Sequence, residues 1–229
     1  MAAAGRVVVW RRVKVTIEDL AHRYAPGARA AIAIPRLVID DGSRRCLVGR
    51  SGSGKTTLLN ILCGVLAPTS GRVHLGETDL FALGEADRDA LRARAIGCIF
   101  QTFNLLEGLS AFENLTLAQR FAGISASQAW RRADELLERL GLRERAAARP
   151  GELSLGEQQR VAIARAVSKA PSLVLADEPT ASLDDESARL AIDLLLETCQ
   201  GRTLLVVTHD PRLIERFPAP ISMAELSVS

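Results

Sequence analysis

Residues 49–56 read Gly-Arg-Ser-Gly-Ser-Gly-Lys-Thr. This is the pattern G-x-x-x-x-G-K-S/T, which a chain of this length matches by chance only on the order of one time in a hundred, with Gly at about 7% of residues. Before it, Arg45-Cys46-Leu47-Val48 reads as a buried strand; after it, Thr57 to Leu62 reads as a helix. Strand, glycine-rich turn and helix form the context in which this pattern grips phosphate. Gly49, Gly52 and Gly54 let successive N–H groups of Arg50, Ser51, Ser53 and their neighbours point into one concavity. A helix starting near Lys55 adds its positive N-terminal end, with Thr57 in its first turn. Lys55 is placed to reach the β- and γ-phosphates, and the Thr56 hydroxyl to bind Mg²⁺.

Strands alternate with helices along the chain. Val13, Val15 and Ile17 alternate with polar residues, as in a strand with one wet face. Ala31 to Ile39 reads as a second strand, interrupted at Pro35, and Gly71 to Leu75 as a further short one. Ala95 to Phe100 is an apolar strand ending at Gln101. Leu173–Ala176 and Thr203–Val207 are apolar runs of the kind found in buried parallel strands. Helices fit at residues 157–168 and 185–199, which predicts a parallel sheet covered on both faces. Residues 110–148 are rich in Ala, Leu, Glu and Arg, with Trp130, Ala133, Leu136, Leu137 and Leu140 at helical spacing. They predict a helical insertion. With 229 residues and 48% apolar content, one large domain can build its core.

Two further constellations carry chemistry. Leu173 to Glu178 is an apolar strand ending in two acids. Ligands of open α/β sheets bind beyond such carboxyl ends. Asp177 is placed to hold Mg²⁺ through water, and Glu178 to polarise an attacking water. The second constellation is Leu153-Ser154-Leu155-Gly156-Glu157, which precedes an apolar helix. Ser154 and Glu157 have capping-box spacing, so they can start a helix, bind an anion, or do both.

Together these motifs resemble the ATP-binding cassette (ABC) ATPases: Gly49–Thr56, Gln101, Leu153–Glu157, Asp177–Glu178 and His209 stand in that family's order. The segment LSLGEQQRVAIARAVSKAPSLVLADEPTASLD, residues 153–184, is the most specific part. The resemblance covers the chain from about Val13 onward. IGCIFQTFNLLEGLSAFENL and LADEPTASLD look like the group serving lipoprotein-releasing and macrolide-export transporters. The resemblance implies an α/β phosphate-loop fold with an N-terminal antiparallel portion, a parallel core and a helical subdomain at about 102–165. It implies one cassette over residues 13–229, after a short extension at 1–12. It also implies two cassettes that sandwich two ATP molecules head to tail, with Ser154, Gly156 and Glu157 reaching the nucleotide of the other copy. Gln101 would bind Mg²⁺ and sense a membrane partner, Asp184 would lie across the dimer interface, and His209 would touch the γ-phosphate. Tyr24, the only tyrosine, is placed 31 residues before Lys55 to stack on adenine, or else is a partly buried core residue. One departure stands out: Leu155 occupies a position where the family usually has glycine, which puts a bulky side chain at the seam.

Several classes are disfavoured. A net charge of +2 argues against a nucleic-acid-binding surface, and the arginines at 11–12 and 143–149 read as solvated. The four cysteines form no C-x-x-C pair; Cys46, Cys63 and Cys98 read as small buried residues, with no disulfide framework or zinc site. No apolar run approaches the roughly 20 residues that span a bilayer. The opening residues have too short an apolar run for a signal peptide. A place on the cytoplasmic face of a membrane, reached through a membrane-embedded permease, follows as the expectation. The 20 residues after His209, with Pro218 and Pro220, predict neither a helix nor a C-terminal regulatory domain. A soluble ABC ATPase outside transport would carry two cassettes, a long coiled coil or zinc ligands. A cell-division ATPase that signals through a membrane partner fits the same motifs. A plain phosphate-loop kinase leaves residues 153–157 unexplained.

Overall fold

The computed structural model describes residues 12–226, so all but the last residue of the expected extension at 1–12, with Trp10 and Arg11, lies outside the described residues. An antiparallel sheet comes first: β1 (Val15–His22), β2 (Ile32–Ile39) and, after the phosphate loop, β4 (Ser70–Leu75) with the two-residue β5 (Thr78–Asp79), ordered β2-β1-β4-β5. Between them run β3 (Arg44–Val48) and α1 (Lys55–Leu62). Then follow α2 (Glu85–Ala95), β6 (Ile96–Ile99), α3 (Ala111–Phe121), α4 (Ala126–Arg139) and α5 (Leu155–Val167). The chain continues through β7 (Leu173–Asp177), α6 (Asp185–Thr198), β8 (Thr203–Val207), α7 (Pro211–Ile214), β9 (Ile221–Ser222) and α8 (Met223–Leu226). Among the described residues β6-β7-β8-β3-β9 form one parallel sheet.

The parallel strands are buried on both faces, and the pleat sorts their side chains. Leu47, Leu173, Leu175, Leu205 and Val207 pack toward α1 and the antiparallel sheet. Their neighbours Cys46, Val174, Ala176, Leu204 and Val206 pack toward α5 and α6. This period of two on a two-sided core explains why these strands read as unbroken apolar runs. A third cluster, including Leu115, Ala133, Leu137, Leu153 and Val161, holds α3 and α4 against the first half of α5.

Pro35 does not interrupt β2. The strand lies at the sheet edge and passes straight through it. Glu18 pairs with Arg36 and Leu20 with Ile34, so Pro35 faces Asp19, which takes a left-handed φ of 47°. Asp19 and Pro35 are each half of a two-residue exposed step in an otherwise alternating strand. An edge strand leaves one side of its backbone outside the ladder, which is where a proline without an N–H is tolerated. On the other side of β1 the pairing with β4 shifts register between Glu18 and Ala21, and Gly71 sits at that bulge, where a Cβ would stand 2.4 Å from the Asp19 carbonyl oxygen. The helix expected from residue 157 starts two residues earlier, because Ser154 is its cap. The residues after His209 do form helix: the four-residue α7 precedes Pro218, and β9 and the single-turn α8 follow Pro220, so the prolines exclude helix only between them. α2 went unread; it buries no residue, and so shows no apolar stripe. Cys98 is another correction: it is half-buried and lines a groove.

Candidate active site

The loop of residues 49–54 leaves β3 and feeds α1. Gly54 is its tightest point, with φ at 89°; a Cβ there would stand 2.0 Å from Ile32 Cγ2 and 2.6 Å from the Ala31 carbonyl oxygen. Only glycine fits this approach. Lys55 Nζ lies back along the loop and donates to the carbonyls of Gly49 at 2.7 Å and Arg50 at 3.0 Å. A cavity of about 660 Å³ opens over the loop, within the range of small-molecule sites. Tyr24, Lys55, Gln101, Asp177, Glu178 and His209 all line it, so residues distant in sequence meet here.

The carboxylates have distinct surroundings. Thr56 Oγ1 donates to Asp177 Oδ2 at 2.9 Å, joining the end of β7 to the start of α1. Burial pushes the Asp177 carboxyl above the usual range; the neighbouring Glu178 charge adds to this, while Thr56 and Lys55 oppose it. Glu178 has φ at 45°, a left-handed backbone for a residue with a side chain. Its Oε2 accepts from Thr208 Oγ1 at 3.0 Å and from the His209 N–H at 3.2 Å. Its Oε1 pairs with His209 Nδ1 at 2.7 Å. His209 is otherwise exposed, and among the described residues its side chain bonds to Glu178.

Tyr24 is 67% exposed, which removes the buried-core alternative. Its hydroxyl meets Thr57 Oγ1 at 2.9 Å, and its ring stands edge-on to His22 with centroids 4.8 Å apart. Gln101 precedes two left-handed residues, Phe103 and Asn104, whose carbonyls are both held by Arg165.

Ser154, Leu155, Gly156, Glu157 and Asp184 do not line this cavity. Ser154 caps α5 by accepting from the Glu157 N–H at 3.2 Å, and Glu157 Oε2 accepts from the Ser154 N–H at 2.8 Å. Gly156 is buried against α6, where a Cβ would meet Ser187 Oγ at 2.7 Å. Leu155 is 49% exposed beside them. Asp184 caps α6 by accepting from the Ser187 N–H at 2.9 Å.

Sequence reading missed the supports of Glu178. Thr208 accepts from the Asp210 N–H while donating to Glu178. Asp210 in turn accepts from Thr180 Oγ1 at 2.6 Å and from Arg212. Arg212 holds the Asp210 carboxyl down to about 2, helped by Thr180. Gln159, fully buried, donates to the Pro179 carbonyl just after Glu178. The run Thr208-His209-Asp210 at a strand end was the available signal.

A family model described as ABC transporter matches residues 34–181. An uncharacterized ABC transporter ATP-binding protein of Mycobacterium tuberculosis is 42% identical over 218 residues, covering 91% of this chain and 66% of that protein. This chain therefore spans about two thirds of the length of such mycobacterial relatives. The lipoprotein-releasing system ATP-binding protein LolD of Pseudomonas fluorescens is 41% identical over 215 residues, covering 92% of this chain and 95% of LolD. A bacterial ABC transporter cassette solved as a dimer is 33% identical with a TM-score of 0.82, covering 91% of this chain and 94% of that one. A dimeric cassette in a post-hydrolysis state with ADP and phosphate is 35% identical with a TM-score of 0.79, covering 87% of this chain and 89% of that one. The motifs that frame the cavity and these likenesses agree: the chain belongs to the ABC transporter ATP-binding family.

Proposed function

We propose that this chain is the ATP-hydrolysing subunit of an ABC transporter, energising export or extraction of a substrate through a separate integral membrane subunit. The convergence of Lys55, Thr56, Asp177, Glu178 and His209 on one phosphate-loop cavity carries the reading. Tyr24 stacks on adenine, and the amides of residues 50–57 cradle the phosphates. Lys55 exchanges its loop carbonyls for β- and γ-phosphate oxygens. The site suits Mg²⁺, since Thr56 Oγ1 and Asp177 Oδ2 lie 2.9 Å apart and are hard oxygen donors, with Gln101 on the same cavity. A bound Mg²⁺ supplies neutralisation of charge on the phosphate oxygens. Glu178 orients a water in line with the γ-phosphate and takes its proton, while Thr208 and His209 fix its carboxylate. Positioning and electrostatics supply most of the rate.

The second half of each site comes from another copy, through Ser154, Gly156 and Glu157, with Leu155 and Asp184 at the seam. Two cassettes close on ATP, and hydrolysis reopens them. The helical portion at about 102–165 moves with closure and passes the change to the membrane subunit, which holds the protein at the cytoplasmic face. The lipoprotein-releasing role in the name of the Pseudomonas relative favours export or extraction.

Complementation tests the half-site. Lys55→Ala and Ser154→Arg are each expected to be inactive alone. Mixed one to one, half the dimers are hetero-dimers, each with one intact composite site, so about a quarter of the wild-type rate returns. No rise above the sum of the parents overturns the composite site. Isolation from membranes without any integral membrane protein overturns the transporter role.

A further inference from the structure

Away from the phosphate loop, a groove of about 530 Å³ runs between α2, β6, α3 and α5. Cys63, at the end of α1, and Cys98, in β6, both line it. Their sulfurs stand 2.8 Å apart although the residues are 35 positions apart in sequence, and both are free thiols. A disulfide needs about 2.05 Å, so a small side-chain shift joins them. Cys98 is half-buried and opens on the groove. Around the pair stand three cations, Arg92, Arg165 and Lys169, and one carboxylate, Asp89.

These surroundings separate the two thiols. The hydrogen bond from Cys63, together with the charges of Lys169, Arg92 and Arg165, holds Cys98 below the ordinary thiol range despite its burial. Cys63 is pushed above that range by the same hydrogen bond and by burial. Cys98 is therefore the nucleophile and Cys63 the proton-bearing partner. Cys46 and Cys199 are fully exposed to neither solvent nor this groove, and burial pushes each up to about 11.

We propose that Cys63 and Cys98 form a reversible dithiol–disulfide pair, oxidised by small peroxides that enter this groove. The Cys98 thiolate attacks the peroxide O–O bond. An S–O bond forms, the O–O bond breaks, and the leaving oxygen takes a proton as water or an alcohol. The Cys63 sulfur then attacks the Cys98 sulfenic sulfur and gives up its proton. The S–O bond breaks, the sulfenic hydroxyl leaves with that proton as water, and the S–S bond forms. The two electrons lost by the thiols are those gained by the peroxide. A dithiol reductant reverses the bond by exchange. Cys98 lies three residues before Gln101, so the bridge ties α1 to the strand that feeds the Gln101 loop. A transient bond of this kind suits a reducing compartment, where standing disulfides are rare.

The test treats the reduced full-length protein with hydrogen peroxide and maps it by mass spectrometry. The expected result is loss of about 2 Da and of two of the four thiols, a linked Cys63–Cys98 peptide, and recovery with dithiothreitol. In Cys63→Ser the sulfenic acid should persist on Cys98 and take one dimedone adduct, whereas Cys98→Ser should take none at Cys63. Unchanged wild-type mass, higher oxyacids on Cys98 without the linked peptide, or linkage only between separate chains overturns the proposal. The wild-type map decides even where a variant fails to fold.

Discussion

Glu178→Gln separates the chemistry of this site from its architecture. In the wild type, Oε2 accepts from Thr208 Oγ1 and the His209 N–H, while Oε1 pairs with His209 Nδ1. A glutamine can keep all three partners in one orientation. Its carbonyl oxygen takes the Oε2 place, facing two donors. Its NH₂ takes the Oε1 place and donates to His209 Nδ1, which settles the imidazole proton on Nε2. The left-handed φ of 45° is no harder for glutamine than for glutamate. Folding and ATP affinity should therefore hold, with Kd within about threefold, under 1 kcal/mol. What is lost is a group able to take the water proton. General-base catalysis is worth roughly 10²–10⁴-fold, so turnover should fall by that factor, about 3–5 kcal/mol of barrier. Phosphate release at saturating ATP measures the rate, and fluorescent-nucleotide titration measures affinity. Turnover within about tenfold of wild type would remove Glu178 as the base. A rate loss matched by an equal loss of affinity would make its role structural.

Three further perturbations follow from the same geometry. Gly54→Ala puts a Cβ 2.0 Å from Ile32 Cγ2 at a φ of 89°; thermal melts should show more than about 2 kcal/mol of destabilisation and nucleotide titration no binding, and wild-type behaviour in both would refute the cradle. Asp210 is held at about 2, below its ordinary 3.8, so its bonds stabilise the folded state above pH 3.8 and that contribution disappears as pH falls toward 2. Asp210→Asn should lower the melting temperature at pH 7, with the gap to wild type narrowing below pH 4; a gap constant with pH would refute the assignment. Leu155→Gly removes a side chain that is 49% exposed in one copy; covering it in a dimer seam is worth about 1 kcal/mol per copy, so with both copies changed ATP-induced dimerisation, measured by light scattering, should weaken about thirtyfold, and an unchanged constant would place Leu155 off the seam.

The phosphate loop was legible because its residues are consecutive. Gly54 needs a left-handed backbone, and that requirement is local enough to appear as a residue type. Asp177 and Glu178 were legible for a similar reason, since a buried strand ending in two acids leaves few places for them to point. The capping box of Ser154 and Glu157 was also readable as a helix start, although the helix was expected only from 157 and begins at Leu155. Pro35 was misread because its tolerance depends on β2 lying at the sheet edge, a position that no local pattern reports. α2 stayed hidden because it buries no residue fully and packs only the half-buried Leu91 and Ala95 on the core, which leaves little periodic signature. Thr208 and Asp210 belong to the same class of miss: their importance lies in what they hold, across 30 residues of sequence.

The adjacent acids pose a geometric problem that the backbone solves. In a regular strand, successive side chains point to opposite faces. Asp177 closes β7 and meets Thr56 on the α1 side. A glutamate continuing that strand would face α5 and α6 instead, as Ala176 does. Glu178 avoids this by leaving the strand in the left-handed region, and so lines the same cavity as Asp177. For a residue with a side chain that conformation costs about 1–3 kcal/mol, so something must hold it. The backbone is fixed by the Glu178 N–H on the Val207 carbonyl at 2.8 Å and by the Ala181 N–H on the Glu178 carbonyl at 3.1 Å. The side chain is fixed by Thr208 and His209, and the following turn by Gln159 on Pro179. The Thr180–Asp210–Arg212 network anchors the far side of that turn. Two carboxylates forced onto one side of a sheet end, each with its own hydroxyl partner, can then divide their tasks. In the function proposed above, Asp177 with Thr56 would hold the cation, and Glu178 with His209 would turn a water toward phosphate.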